Sequence, residues 1–117
     1  MVTPTSTEAL PGQAGTQRTA FQCLAAAYPH HQPRSITLSV HDASSARLAL
    51  RWLKERTSHI TDQLDAPHAR PGRHWLTDEA EHERALTYLT TGTAYQLTLH
   101  DEHTRYVLVT YPPGPAA

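Results

Sequence analysis

His100, Asp101, Glu102 and His103 stand side by side. They are the tightest cluster of chemically versatile side chains in the chain. Imidazole nitrogen and carboxylate oxygen suit zinc or a similar divalent ion, which makes His100, Asp101 and His103 the candidate metal ligands. A further ligand would have to come from elsewhere, with His30, His31 and His41 available. A histidine pair is a weak zinc signal by itself, and the favoured expectation is a solvated polar turn without a metal. His41-Asp42, at the end of an alternating segment, is a second imidazole–carboxylate pair. Its simpler reading is a helix-capping Asp42 beside an exposed His41. His82 falls on the apolar side of a helical pattern and reads as a packed, hydrogen-bonded histidine. Cys23 has no cationic neighbour to activate it and reads as a small buried side chain.

None of the compact catalytic signatures occurs: no G-x-S-x-G, no phosphate-binding glycine loop, no H-E-x-x-H and no C-x-x-C. No catalytic residue is assigned, and the chain leans away from an enzyme. Arg47, Arg51 and Lys54 recur at i, i+4 and i+7 and form a basic helix flank, a candidate surface for an anion or nucleic acid. Arg70, Arg73 and Trp75 sit in a proline-containing stretch. They are candidate partner-binding residues together with Leu48 and Trp52.

Composition narrows the classes. The chain has 117 residues and a formal net charge of −1, which gives no overall attraction for nucleic acid. Nine histidines would add nine positive charges on protonation, yet none stands in an obvious switch context. With one lysine against nine arginines, compositional bias is the simpler account of the histidine richness. A single cysteine excludes an internal disulfide and fits a reducing compartment. No signal-peptide pattern or membrane-length apolar run is present. A cytoplasmic protein with no membrane partner is expected.

These side chains need elements to position them. Residues 1–18 are rich in Thr, Ser, Pro, Gly and Gln and are expected to form a disordered arm. Residues 19–111 form one domain, and residues 112–117, with three prolines, a flexible tail. Phe21, Leu24, Ala25 and Tyr28 recur at helical spacing, which predicts a short first helix. Arg34–His41 alternates, with Ile36, Leu38 and Val40 on one side, and predicts a half-buried strand. Asp42 would cap a helix over residues 43–64, whose stripe is Ala46, Ala49, Leu50, Leu53, Thr57, Ile60 and Leu64. Two prolines and a glycine predict a loop over residues 65–74. Thr77 would cap a helix that buries His82, Ala85, Leu86 and Leu89, with Gly92 as its left-handed stop. Strands over 94–100 and 104–111 follow. Their hairpin register is open between pairing Leu97 with Leu108 and pairing it with Val107. The sum is a small α+β two-layer sandwich, order α-β-α-α-β-β. Its three-stranded sheet is at least partly antiparallel, with helices on one face.

Leu48 and Trp52 lie off the stripe of the long helix, so that helix has two apolar sides and needs two partners. One is the sheet. The other is the first helix, which is preferred, or another protein chain, since Trp is enriched at such contacts. The leading functional expectation is therefore a non-enzymatic interaction or regulatory module that binds a protein partner or itself. The element order also resembles the winged-helix arrangement, over residues 19–111 and by topology alone. That resemblance implies a DNA-binding regulator with His100–His103 at the wing tip. The acids Asp78, Glu79, Glu81 and Glu83 at the start of the would-be recognition helix oppose it, because they repel phosphate. A histidine-based metal binder ranks third.

Overall fold

The computed structural model describes residues 19–114. The expected arm over residues 1–18 and the end of the expected tail lie outside them. Seven elements run in the order β1 (Phe21–Pro29), β2 (Ile36–Ala43), α1 (Ala46–Thr61), α2 (Ala66–Leu76), α3 (Glu79–Thr90), β3 (Tyr95–His100) and β4 (Thr104–Tyr111). The α+β class stands, but the α-β-α-α-β-β order and the three-stranded sheet do not. The sheet has four antiparallel strands in the order β2-β1-β4-β3, and three helices join β2 to β3.

The first correction is β1. Its apolar residues fit a helical period, but the segment pairs with β2 on one side and β4 on the other. Cys23, Ala25, Ala26 and Ala27 are all buried. Cys23, Ala25 and Ala27 turn one face toward the helices, while on the other face Ala26 is buried but Gln22 and Tyr28 stay exposed, so the run of small apolar residues hides the strand's alternation. Alanine leaves room for a helix to approach closely, and α1 packs on β1.

The second correction is α2, which occupies the expected loop. Asp65 caps it, accepting the His68 N–H at 3.3 Å, and Pro67 sits in the first turn, where a missing N–H costs nothing. Pro71 is tolerated inside the helix because Ala69, Gly72 and Trp75 are buried on one face. Gly72 is not a loop marker. A Cβ there would collide with the Thr61 methyl of α1, so glycine is what lets the two helices approach.

The other helices follow the expected stripes more closely. Ala46, Ala49, Leu50, Leu53 and Thr57 of α1 are buried, and so are His82, Ala85, Leu86 and Leu89 of α3. The caps move by a few residues. Ser45, not Asp42, caps α1, because β2 runs on to pair Ala43 with Phe21. Asp78, not Thr77, caps α3 and accepts the Glu81 N–H at 3.2 Å. Gly92 has φ 86°, and the Thr93 and Gly92 N–H groups donate to the Tyr88 and Leu89 carbonyls at 2.8 and 3.3 Å. This is the Schellman stop the sequence leads one to expect.

The sheet face carrying Cys23, Ala25, Tyr95, Leu99 and Leu108 joins the helices in one core with Leu50, Leu53, Trp75 and Leu89. A chain of polar contacts fastens one end of it. The Trp75 indole N–H donates to the Tyr95 hydroxyl at 2.9 Å, and that hydroxyl donates to Glu81 at 2.6 Å. Arg84 then grips Glu81 with two bonds of 2.9 and 3.0 Å and donates to the Tyr88 hydroxyl at 2.6 Å. Among the described residues no helix is long and apolar enough to cross a membrane.

Candidate docking cleft between β2 and α1

The expected metal ligands do not converge. The hairpin adopts the register that pairs Leu97 with Leu108 and Leu99 with Tyr106. Asp101 is consumed by the turn itself: one carboxylate oxygen accepts the His103 and Thr104 N–H groups at 2.8 and 2.7 Å, and the other accepts the Tyr106 hydroxyl at 3.1 Å. Burial pushes its carboxyl upward, but these three donors outweigh it and hold the group below the usual carboxylate range. His100 and His103 are exposed. The His103 ring faces Glu102 at 3.5 Å and the His31 ring at 6.2 Å between centroids. No group of three or more His, Cys, Asp or Glu among the described residues is placed to hold a metal. His82 is a packed histidine: its Nε2–H donates to the Trp75 carbonyl at 2.7 Å and its ring meets the indole edge-on. Cys23 is buried beside Thr110, whose hydroxyl donates to Sγ at 3.7 Å, and burial pushes the thiol upward.

The expected partner-binding set separates. Trp75 is a core residue, 5% exposed, because residues 65–74 are helix and turn it inward. Arg70 and Arg73 stay exposed on α2, Arg73 lying 3.5 Å from Asp62. Trp52 is covered from within the chain, and its cover is β2, not a first helix. The His41 ring lies nearly parallel to the indole, 4° apart, with centroids separated by 6.4 Å. Leu48 remains 44% exposed. Arg47, Arg51 and Lys54 are exposed on α1; Arg47 and Lys54 belong to a solvated flank, whereas Arg51, near Glu55 at 3.5 Å, borders the space between α1 and β2.

A different feature emerges around β2. It is an edge strand, so its outer row of backbone N–H and C=O groups has no ladder partner among the described residues. Its apolar residues are not covered: Ile36 and Leu38 are each 47% exposed and Val40 70%. The expectation that they share one buried face fails for a local reason. Ala25 pairs with Ser39 but Ala26 pairs with Thr37, so Leu38 is an extra residue in a β-bulge. A one-residue slip exchanges the faces. Ile36, opposite Ala27, therefore faces the helix layer, whereas Val40, opposite Leu24, faces away from it.

Two open depressions that adjoin at Arg56 lie between α1 and the sheet beside β2, and together they form a cleft. One end is lined by His41, Asp42, Leu48, Arg51 and Trp52; the other by Ile36, Leu38, His59, Ile60 and Tyr106. Arg56 borders both ends. Its Nε is buried without a hydrogen-bond partner, and its guanidinium makes no ion pair among the described residues. Sequence reasoning named Leu48 and Trp52 as a second apolar side of the helix, without a cleft, and gave Ile36, Leu38, Val40 and Arg56 no part in a site. Only the bulge and the edge position of β2 expose them, and neither is written in a local period. Comparison of the chain with family models, curated proteins and solved structures finds no match.

Proposed function

We propose that this chain is a non-enzymatic interaction module that docks another polypeptide along β2 and the adjoining cleft. The observation that carries the reading is the unpaired β2 edge with three exposed aliphatic side chains beside a groove. An edge strand next to a helix offers main-chain hydrogen bonds for affinity and alternate side-chain pockets for specificity, which is recognition by strand addition. An uncovered, apolar edge strand is otherwise an aggregation hazard that proteins usually cover. The winged-helix reading loses its support. The first element is a strand rather than a helix, and acids open α3, Glu79 and Glu81 lying in its first turn.

Photo-crosslinking in the native host tests the reading, with the reactive residue placed at Leu38 on β2 or at Thr87 on the exposed side of α3. A discrete polypeptide adduct from position 38 and none from position 87 is expected. Equal adducts from both, or none from position 38, would count against β2 as the docking edge.

A further inference from the structure

We infer that the occupant of the β2–α1 cleft is an extended peptide whose central acidic side chain pairs with Arg56 and is flanked two residues away on each side by aliphatic residues. This rests on the docking reading above and adds the partner's chemistry to it.

Arg56 is the starting point. A guanidinium with a buried, unsatisfied Nε and no carboxylate partner carries an uncompensated desolvation cost. A carboxylate that reaches the guanidinium from the cleft offsets that cost by pairing with its charge through the Nη groups. Arg51, the other arginine in the cleft, already has Glu55 at 3.5 Å. The unmatched positive charge is therefore at Arg56, between the two ends of the groove. A chain paired with β2 passes Arg56 and continues in both directions, so the carboxylate belongs to a mid-segment Asp or Glu rather than to a chain terminus. Side chains of an added strand alternate between faces, and those two positions on either side of the acid enter the same cleft. There they meet Ile36, Leu38 and Ile60 at one end and Leu48 and Trp52 at the other.

A second copy of β2 fits this cleft poorly. Its segment from Ile36 to Val40 holds no acid, and Asp42 lies near its end. A two-fold pairing about Leu38 would also set Ile36, facing the helix layer, against Val40, facing away from it. The bulge thus discourages self-pairing and leaves the edge to a partner with a regular alternation.

Panning a library of random short peptides on the full chain, in parallel with R56M, tests the assignment. Peptides enriched on the wild-type chain should share an Asp or Glu with aliphatic residues two positions to either side. The best of them should shift the backbone amide resonances of Ile36–Ala43. Replacing its acid by the amide should weaken binding roughly tenfold on the wild-type chain and leave binding to R56M unchanged, with R56K intermediate. An unaltered amide spectrum away from the cleft verifies that each variant is folded. Peptides that shift the β2 amides with no dependence on an acid would overturn the Arg56 pairing and leave the docking edge standing. No peptide at β2 would overturn both. Light scattering that shows a dimer, with the β2 amides perturbed on dilution, would replace the peptide by a second copy.

Discussion

At the scale of single residues, the polar groups of this chain divide into those that have partners and those that do not. Asp101 has three donors and is turn architecture. Arg56 and Thr57 adjoin in α1, and each has a buried polar atom without a partner. Their surroundings give the two orphans different meanings. Arg56 is only partly buried and borders an open cleft, so an incoming group can meet the rest of its guanidinium although Nε itself is buried. Thr57 is 0% exposed, so nothing can reach its hydroxyl. That hydroxyl is a cost with no compensating contact, since burying a donor and acceptor unpaired costs about 1–3 kcal/mol. Valine has the same branched shape without the polar atom. Thr57→Val is expected to stabilise the fold by about 1 kcal/mol in chemical denaturation. A loss of stability would mean that the hydroxyl has a partner after all.

At the scale of elements, what the sequence made legible follows the range of the forces involved. α3 and its stop were readable because a cap, a 3.6-residue stripe and a positive-φ glycine all act within a few residues. The β3–β4 hairpin was readable for the same reason, although its register needed the turn contacts of Asp101. β1 and α2 were not. The first is a strand because two neighbours pair with it, and the second is a helix because α1 accepts its Gly72 face. These are tertiary causes that override local preference. The Gly72 contact is open to a direct check. In a helix, Gly72→Ala would gain about 1 kcal/mol from propensity. Here its Cβ meets the Thr61 methyl, and overpacking of that kind costs about 1–3 kcal/mol. The net outcome expected is destabilisation by roughly 1 kcal/mol, recovered when Thr61→Ser removes the methyl. Additive effects of the two substitutions would show that α1 and α2 do not meet there. The candidate site was half legible: Trp52 and Leu48 pointed to α1, whereas Ile36, Leu38 and Val40 depended on a bulge that no alternating pattern announces.

At the scale of the whole molecule, α2, α3 and the polar chain lie over one part of the sheet, and the candidate site lies at the other. α2 and α3 pack on β3, whereas α1 packs on β2. The Trp75–Tyr95–Glu81–Arg84 chain ties α2, α3 and β3 together, so its loss is felt by the fold and not by the cleft. Arg84 is the main influence on Glu81, followed by the Tyr95 hydroxyl, and both hold its carboxyl below the usual range. Burial and the adjoining Glu81 push the Tyr95 phenol up to about 12, so it remains a donor throughout the neutral range. A carboxyl depressed in the folded state binds its proton more readily in the unfolded chain. Its stabilisation is therefore complete above the unfolded value of about 4.3 and is lost as pH falls through the lower folded value. Chemical denaturation of the wild-type chain and Glu81→Gln at pH 7 and at about pH 3 resolves this. The wild-type advantage should be clear at pH 7 and shrink on acidification, because Gln cannot take up the proton that breaks the contact. An advantage that does not change with pH would assign the Glu81 contribution to packing and neutral hydrogen bonding rather than to its charge. Because Glu81 and Arg56 lie in different parts of the molecule, Glu81→Gln at neutral pH should lower stability while leaving peptide binding at β2 unchanged. Arg56→Met should do the reverse, and that opposition separates the scaffold from the site.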